Sequence, residues 1–237
     1  VLLVTLCISS AGFIINDIRD LDIDRINRPE RPLPAGQFTI GQAWIVLIVL
    51  TLLGMALSAA INTLSLLMVL FLCAVLLSYS LIFKRMLLIG HAAVALSGAL
   101  VLPYGGIAAE NLIPTIYLLP VAFLAFMGRE ILKTLPDVAG DATHKVDNIA
   151  THFGMRTAAI ASIGFIGLAA VLLTFLPTYW HMNSLYFPSL LFLVYPFTGL
   201  LISLIWRYEA HMTHAIKLSK LIFLLVLLPI IIGSINI

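Results

Sequence analysis

Eight apolar runs of about bilayer length divide this sequence, and they leave few folds open to it. A hydrocarbon core about 30 Å thick takes roughly 20 apolar residues in a helix. Runs of that kind fall at 1–15, 41–61, 63–83, 87–109, 112–132, 157–176, 185–205 and 217–236, the first shorter than the rest. Backbone immersed in lipid must satisfy its own hydrogen bonds, and helices do so locally. The expected fold class is therefore all-α, a polytopic transmembrane bundle with eight spans. Composition agrees, since only 10% of residues are charged, against about 25% in an ordinary soluble domain. The chain opens at Val1 inside an apolar run with no basic stretch before it, which is not the pattern of a signal peptide. We expect one domain over 1–237, beginning partway into a longer reading frame.

Charge is distributed more tellingly than its net value of +2, which gives no case for a nucleic-acid partner. All 13 lysines and arginines fall in 16–40, 84–86, 129–156 and 206–220. The connections that alternate with these carry none, so the two sets lie on opposite membrane faces. The positive-inside rule then places the basic face in the cytoplasm of a multi-pass cell-membrane protein. Of the 11 acidic residues only Glu110 lies on the other side. Trp44 and Trp206 fall at the basic interface and Trp180 at the opposite one, as in an aromatic belt. Transporters place ionisable groups near the midplane, whereas the span centres here are almost free of charge. Cys7 and Cys73 sit inside apolar runs and read as small hydrophobes.

The polar chemistry gathers in two loops. The first, NDIRDLDIDRINRPERPLPAG, runs from Asn16 to Gly36. Asn16, Asp20 and Asp24 are spaced i, i+4, i+8, and share one face if the preceding helix continues through them. Asp17 stands three before Asp20, and Asp22 points elsewhere. Two readings fit. Oxygen ligands converging from one face suit Mg²⁺ bound together with substrate phosphate. Alternatively this is a solvated acidic helix end with Arg19, Arg25 and Arg28 as neighbours. The second loop, from Arg129 to Gly154, carries Asp137 and Asp141 as another i, i+4 pair, with Pro136 placed to begin a helical turn. Glu130 and Lys133 precede them.

Two aspartate clusters on one face, each flanked by cations, favour the metal reading. A carboxylate and a phosphate repel by roughly 4 kcal/mol at about 4 Å and an effective dielectric of 20, and a bridging cation reverses that sign. Bound Mg²⁺ would stabilise a departing diphosphate, with Lys84, Arg85 or Lys133 adding charge, and the apolar interior would take a lipid tail. Metal, diphosphate and tail together are the demands of a polyprenyl diphosphate substrate. The histidines read more plainly. His211 and His214 suggest a solvated loop, His91 suggests packing inside the fourth span, and His144 and His152 have no assigned role. Pro103 with Gly105 and Gly106 suggests a kink or a close helix approach.

The first loop resembles the NDxxDxxxD motif of the UbiA-type intramembrane prenyltransferases, including the DRINRPxRPLPxG stretch that follows. The second resembles that family's DxxxD motif, here as RExxKxxxDxxGD, and order and topology agree over essentially the whole chain. Two positions depart from the pattern. Ser80 stands where the family often has tyrosine, with Tyr79 beside it, and Thr134 follows Lys133 where an aspartate is common. The resemblance implies a nine-helix bundle, of which the eight spans are helices two to nine, around a cavity that opens toward the bilayer. It implies Mg²⁺ held by Asn16, Asp20, Asp24, Asp137 and Asp141. Catalytic roles then fall to Asp20, Asp24, Asp137, Asp141 and Lys84. Substrate contacts fall to Asn16, Asp17, Arg28, Arg31, Tyr79, Arg129 and Lys133. The implied reaction is loss of diphosphate to an allylic carbocation, which an acceptor attacks. The motif forms look most like archaeal-type members that use geranylgeranylglyceryl phosphate as acceptor. Hydroxybenzoate, naphthoate and homogentisate are the alternative acceptors.

Overall fold

Eight helical stretches in the computed structural model are long and apolar enough to cross a membrane: Leu2–Arg19, Ile40–Ile61, Thr63–Leu81, Ile89–Ala108, Leu112–Thr134, Met155–Thr178, Tyr186–Trp206 and Tyr208–Ser234. They coincide with the eight apolar runs. The structure describes residues 1–136, 138 and 147–235, and contains no strand among them. In chain order the helices are α1 (Leu2–Arg19), α2 (Leu21–Asn27), α3 (Ile40–Ile61), α4 (Thr63–Leu81), α5 (Ile89–Ala99) and α6 (Val101–Ala108). There follow α7 (Leu112–Thr134), α8 (Ile149–Phe153), α9 (Met155–Phe175), α10 (Tyr186–Leu193), α11 (Tyr195–Trp206), α12 (Tyr208–Leu225) and α13 (Leu227–Ser234).

Three of the spans are broken in two, and each break lies just before a proline. The fourth breaks at Leu100 ahead of Pro103, the seventh at Val194 ahead of Pro196, and the eighth at Val226 ahead of Pro229. Proline has no N–H and its ring crowds the preceding turn, so the break falls there. The interruption in the fourth span thus lies at Leu100, five residues before the first of the glycines. Gly106 supplies the close approach, because a Cβ there would meet Thr115 Oγ1 and the Asn111 carbonyl, whereas one on Gly105 would meet nothing.

Side-chain exposure runs as it does in lipid rather than water. On α3, Ile45, Val49 and Leu52 are 63%, 55% and 62% exposed, yet Ser58 on the opposite side is fully buried. Its hydroxyl meets Tyr104 Oη at 3.2 Å. The buried residues fall into three groups. One gathers at the basic end of the bundle around Ile131, Leu132, Ala158, Ile205 and Ala215. A second packs Leu118, Leu173, Tyr186 and Leu190 toward the other end. A third joins α1, α4 and α6 through Val4, Ile8, Val69 and Tyr104. Between them lies a cavity.

Local signals set the helix ends. Thr39 caps α3 in a reciprocal box, its Oγ1 accepting from Gln42 N at 3.2 Å while Thr39 N donates to Gln42 Oε1 at 2.8 Å. One boundary differs from expectation. The apolar run predicts the last span from 217, with 206–220 as a loop, but α12 begins at Tyr208. His211, His214, Lys217 and Lys220 are therefore helical. A ruler that counts apolar residues finds the part of a helix inside hydrocarbon and misses the polar turns beyond it.

Candidate active site

The first aspartate cluster sits where α1 gives way to α2. The break is slight: Asp20 N donates to Asn16 O at 2.9 Å, Asp24 N to Asp20 O at 2.8 Å and Arg28 N to Asp24 O at 2.8 Å. The i, i+4 backbone ladder thus links all three motif residues, as their spacing predicts. Pro29 ends it, since the residue before a proline is driven out of the helical region, and Arg28 has φ −147°.

The side chains do not form a single row. Asp20 departs from ideal helical geometry (φ −92°, ψ 2°), and the cluster is divided between two cations. Lys84 Nζ donates to Asp20 Oδ2 and reaches Asn16 Oδ1 at 3.4 Å. Arg31 Nη1 donates to Asp17 Oδ1 at 3.0 Å and to Asp24 Oδ2 at 2.6 Å. Asp17 therefore stands beside Asp24, seven residues on, as the helical repeat allows. Asp24 is buried, and its side chain is 9% exposed. Asp22 instead pairs with Arg25 in solvent, as its off-face position predicts. Arg28 is exposed at the end of α2.

Lys84 arrives from the far side of the site on the short 3₁₀ turn Phe83–Arg85. That turn lies against α5 at Gly90, where a Cβ would stand 2.8 Å from the Phe83 carbonyl. The third contribution comes from the end of α7. Lys133 Nζ donates to Glu130 Oε1 and Oε2 at 2.9 and 2.8 Å, and Arg129 Nη1 to Glu130 Oε1 at 3.3 Å. Arg129 also lies 5.9 Å from the centre of the Phe223 ring, within cation–π range. His91 Nε2 is buried and has no hydrogen-bond partner among the described residues.

The sequence motif gives weight to Arg129 and Lys133 and offers Glu130 only as their neighbour. The structure makes it the hub of that cluster, with a side chain only 11% exposed. A carboxylate between two cations at the polar end of a span is a signal that could have marked it. Asp137 and Asp141 lie outside the described residues.

Beneath these groups lies a cavity of about 840 Å³. Its polar end is formed by Asn16, Tyr79, Arg129, Glu130 and Lys133, and the rest of its lining is overwhelmingly apolar. Val4 and Asn16 both line it and stand twelve residues apart on α1, about 18 Å along the helix axis. Such a space takes an extended hydrocarbon tail with its head among the cations.

The donor set fits Mg²⁺ in kind, because Asn16, Asp17, Asp20 and Asp24 offer only oxygen. No three His, Cys, Asp or Glu residues among those described come together closely enough to hold a metal by themselves. Lys84 and Arg31 meet the carboxylates instead. Replacing Arg31 by alanine leaves Asp24 buried without its cation, and is expected to cost about 1–3 kcal/mol, read as a lower melting temperature in detergent.

The model of the UbiA prenyltransferase family matches residues 1–228. Digeranylgeranylglyceryl phosphate synthase of Sulfurisphaera tokodaii is 36% identical over 200 residues, covering 81% of this chain and 70% of that protein. A solved structure of digeranylgeranylglyceryl phosphate synthase in membranes aligns with a TM-score of 0.77 at 28% identity, over 99% of this chain and 84% of that one. A UbiA homologue from Archaeoglobus fulgidus, solved with DMAPP and Mg²⁺, shares the fold at a TM-score of 0.70 and 20% identity, over 99% and 86% of the two chains. The chain, an all-helical multi-pass membrane protein and a prenyl-transferring enzyme, belongs to the UbiA prenyltransferase family.

Proposed function

We propose that this protein transfers a geranylgeranyl group from its diphosphate to geranylgeranylglyceryl phosphate, in an Mg²⁺-dependent step of ether-lipid synthesis. One observation carries the reading. A cluster of oxygen ligands and cations and a long apolar cavity share Asn16, Arg129, Glu130 and Lys133, so a diphosphate head and its tail are accommodated at once. Mg²⁺, when bound, supplies charge neutralisation for the departing diphosphate.

In this reading Asn16, Asp20 and Asp24, with Asp137 and Asp141, hold the metal. Lys84 and Arg31, which meet those carboxylates in the structure, would be available to the diphosphate where bound Mg²⁺ balanced the carboxylate charge. Tyr79 and Arg129 border the head at the polar end of the cavity, while Asp17 and Arg28 flank it. Lys133 completes the positive charge. Residues 1–237 act as one domain, and the basic end faces the cytoplasm by the positive-inside rule. The acceptor is drawn from the relatives, which include synthases of digeranylgeranylglyceryl phosphate at 31–36% identity.

The test is prenyl transfer in membranes that contain the protein, with labelled geranylgeranyl diphosphate, offering the glyceryl phosphate or an aromatic acid, with Mg²⁺ or EDTA. We expect the ether product from the glyceryl phosphate alone. Its rate should fall at least 100-fold in EDTA, as expected when electrostatic stabilisation of the leaving group is withdrawn. Product from the aromatic acid instead would overturn the acceptor. Unchanged transfer in EDTA would overturn the metal.

A further inference from the structure

Ether formation needs a destination for one proton, and among the described residues the cavity lining offers one carboxylate to take it. Rim residues Asp17, Asp20 and Asp24 meet Arg31 and Lys84 and do not line the cavity. Glu130 does, and it is the one carboxylate among the described residues that does so. An ionised carboxylate only accepts hydrogen bonds, and here both oxygens are taken, by Lys133 at 2.9 and 2.8 Å and by Arg129 at 3.3 Å. Those two cations are also the ones that line the polar end of the cavity on α7. A diphosphate arriving there competes for them and frees oxygens of Glu130 at the boundary between head and tail.

We propose that Glu130 is the base that deprotonates the acceptor hydroxyl, an inference that rests on the prenyl-transfer reading above. The bond from C1 of the prenyl group to the diphosphate oxygen breaks, and its electron pair leaves with the diphosphate. A lone pair of the acceptor hydroxyl forms the new C1–O bond. The hydroxyl proton passes to a Glu130 oxygen, and from there to the diphosphate or to water when products leave. A base in this position acts on the second half of the reaction and not on ionisation.

That division gives the test. Geranylgeranyl diphosphate carrying ¹⁸O in the bridging position is incubated with the protein and Mg²⁺, without acceptor, and movement of label to non-bridging positions reports ionisation and return. Ether formation is measured separately with geranylgeranylglyceryl phosphate. In Glu130→Gln, transfer should fall about 100-fold or more, the usual worth of a positioned base, while label exchange stays within a few-fold of wild type. Glu130→Asp, read in the same two assays, should retain part of the transfer and covers the case of a misfolded glutamine variant. Exchange and transfer falling together would make Glu130 a positioning residue for Lys133 and Arg129 and overturn the proposal. Unchanged transfer would overturn it as well, leaving the diphosphate as base. Wild-type protein that exchanges label but makes no ether would overturn the acceptor reading and this one with it.

Discussion

Replacing Asp20 by alanine is expected to lower prenyl transfer by about three orders of magnitude, more than any other single change at the described part of the site. Two losses coincide. In the structure Asp20 is the carboxylate that meets Lys84, and its side chain is 14% exposed. Its removal leaves an ammonium at the membrane end without its counter-ion, a change that is destabilising when one partner of a sequestered pair is lost. In the reading proposed above, Asp20 is also a metal ligand. Withdrawing one well-placed electrostatic partner of a developing charge costs about 10²–10³ in rate, and the misplaced Lys84 adds to it. Steady-state transfer at several Mg²⁺ concentrations separates the two losses. A lost ligand raises the Mg²⁺ concentration needed for half-maximal rate, and a lost counter-ion lowers the melting temperature without metal. Asp22→Ala is the control, because Asp22 pairs with Arg25 in solvent, where an ion pair contributes about 0–1 kcal/mol. A rate for Asp20→Ala within threefold of wild type would remove Asp20 from the mechanism.

The sequence was more informative about membrane architecture than about the site. Backbone in lipid has few options, so apolar length alone located all eight spans. The same ruler failed at the start of α12, where Tyr208, Glu209, His211 and His214 continue the helix outside the apolar run. It was equally silent on the breaks at Val194 and Val226, because a proline in a span is tolerated or disruptive according to its neighbours. Pro120 lies inside an unbroken α7, whereas Pro196 and Pro229 follow breaks. At the site, i, i+4 spacing correctly linked Asn16, Asp20 and Asp24 through their backbone. It does not show the ion pairs, in which Arg31 joins Asp24 to Asp17 across two helical turns. Glu130 was legible only in part, because its meaning depends on the cavity below it. A cavity is made by all the helices around it and has no local signature.

The seam between α7 and α9 carries the second large effect. Gly128 lies one residue before Arg129, and a Cβ placed on it would stand 2.7 Å from Ile166 Cγ1 and 2.9 Å from the Ser162 carbonyl. The first contact involves a side chain that packs tightly in the basic-end core, and the second involves backbone, which cannot swing aside. Helices in membranes associate through small residues that let backbones approach, and Ser162 Oγ uses that approach to donate to Gly128 O at 2.7 Å. Gly128→Val must push the helices apart. Overpacking costs about 1–3 kcal/mol, and a buried hydroxyl deprived of its acceptor about 1–3 more. At this chain length, losses of that size correspond to a melting temperature lower by about 10 °C. Gly164→Ala on α9 is the matched control, since a Cβ there would meet nothing within 4 Å, and alanine's helix propensity exceeds that of glycine. It should melt no lower than wild type. Below its melting transition Gly128→Val should still transfer poorly, because Arg129 and Glu130 follow Gly128 directly and move with the displaced end of α7. A folded Gly128→Val protein with wild-type transfer would show that the site tolerates a shift of α7.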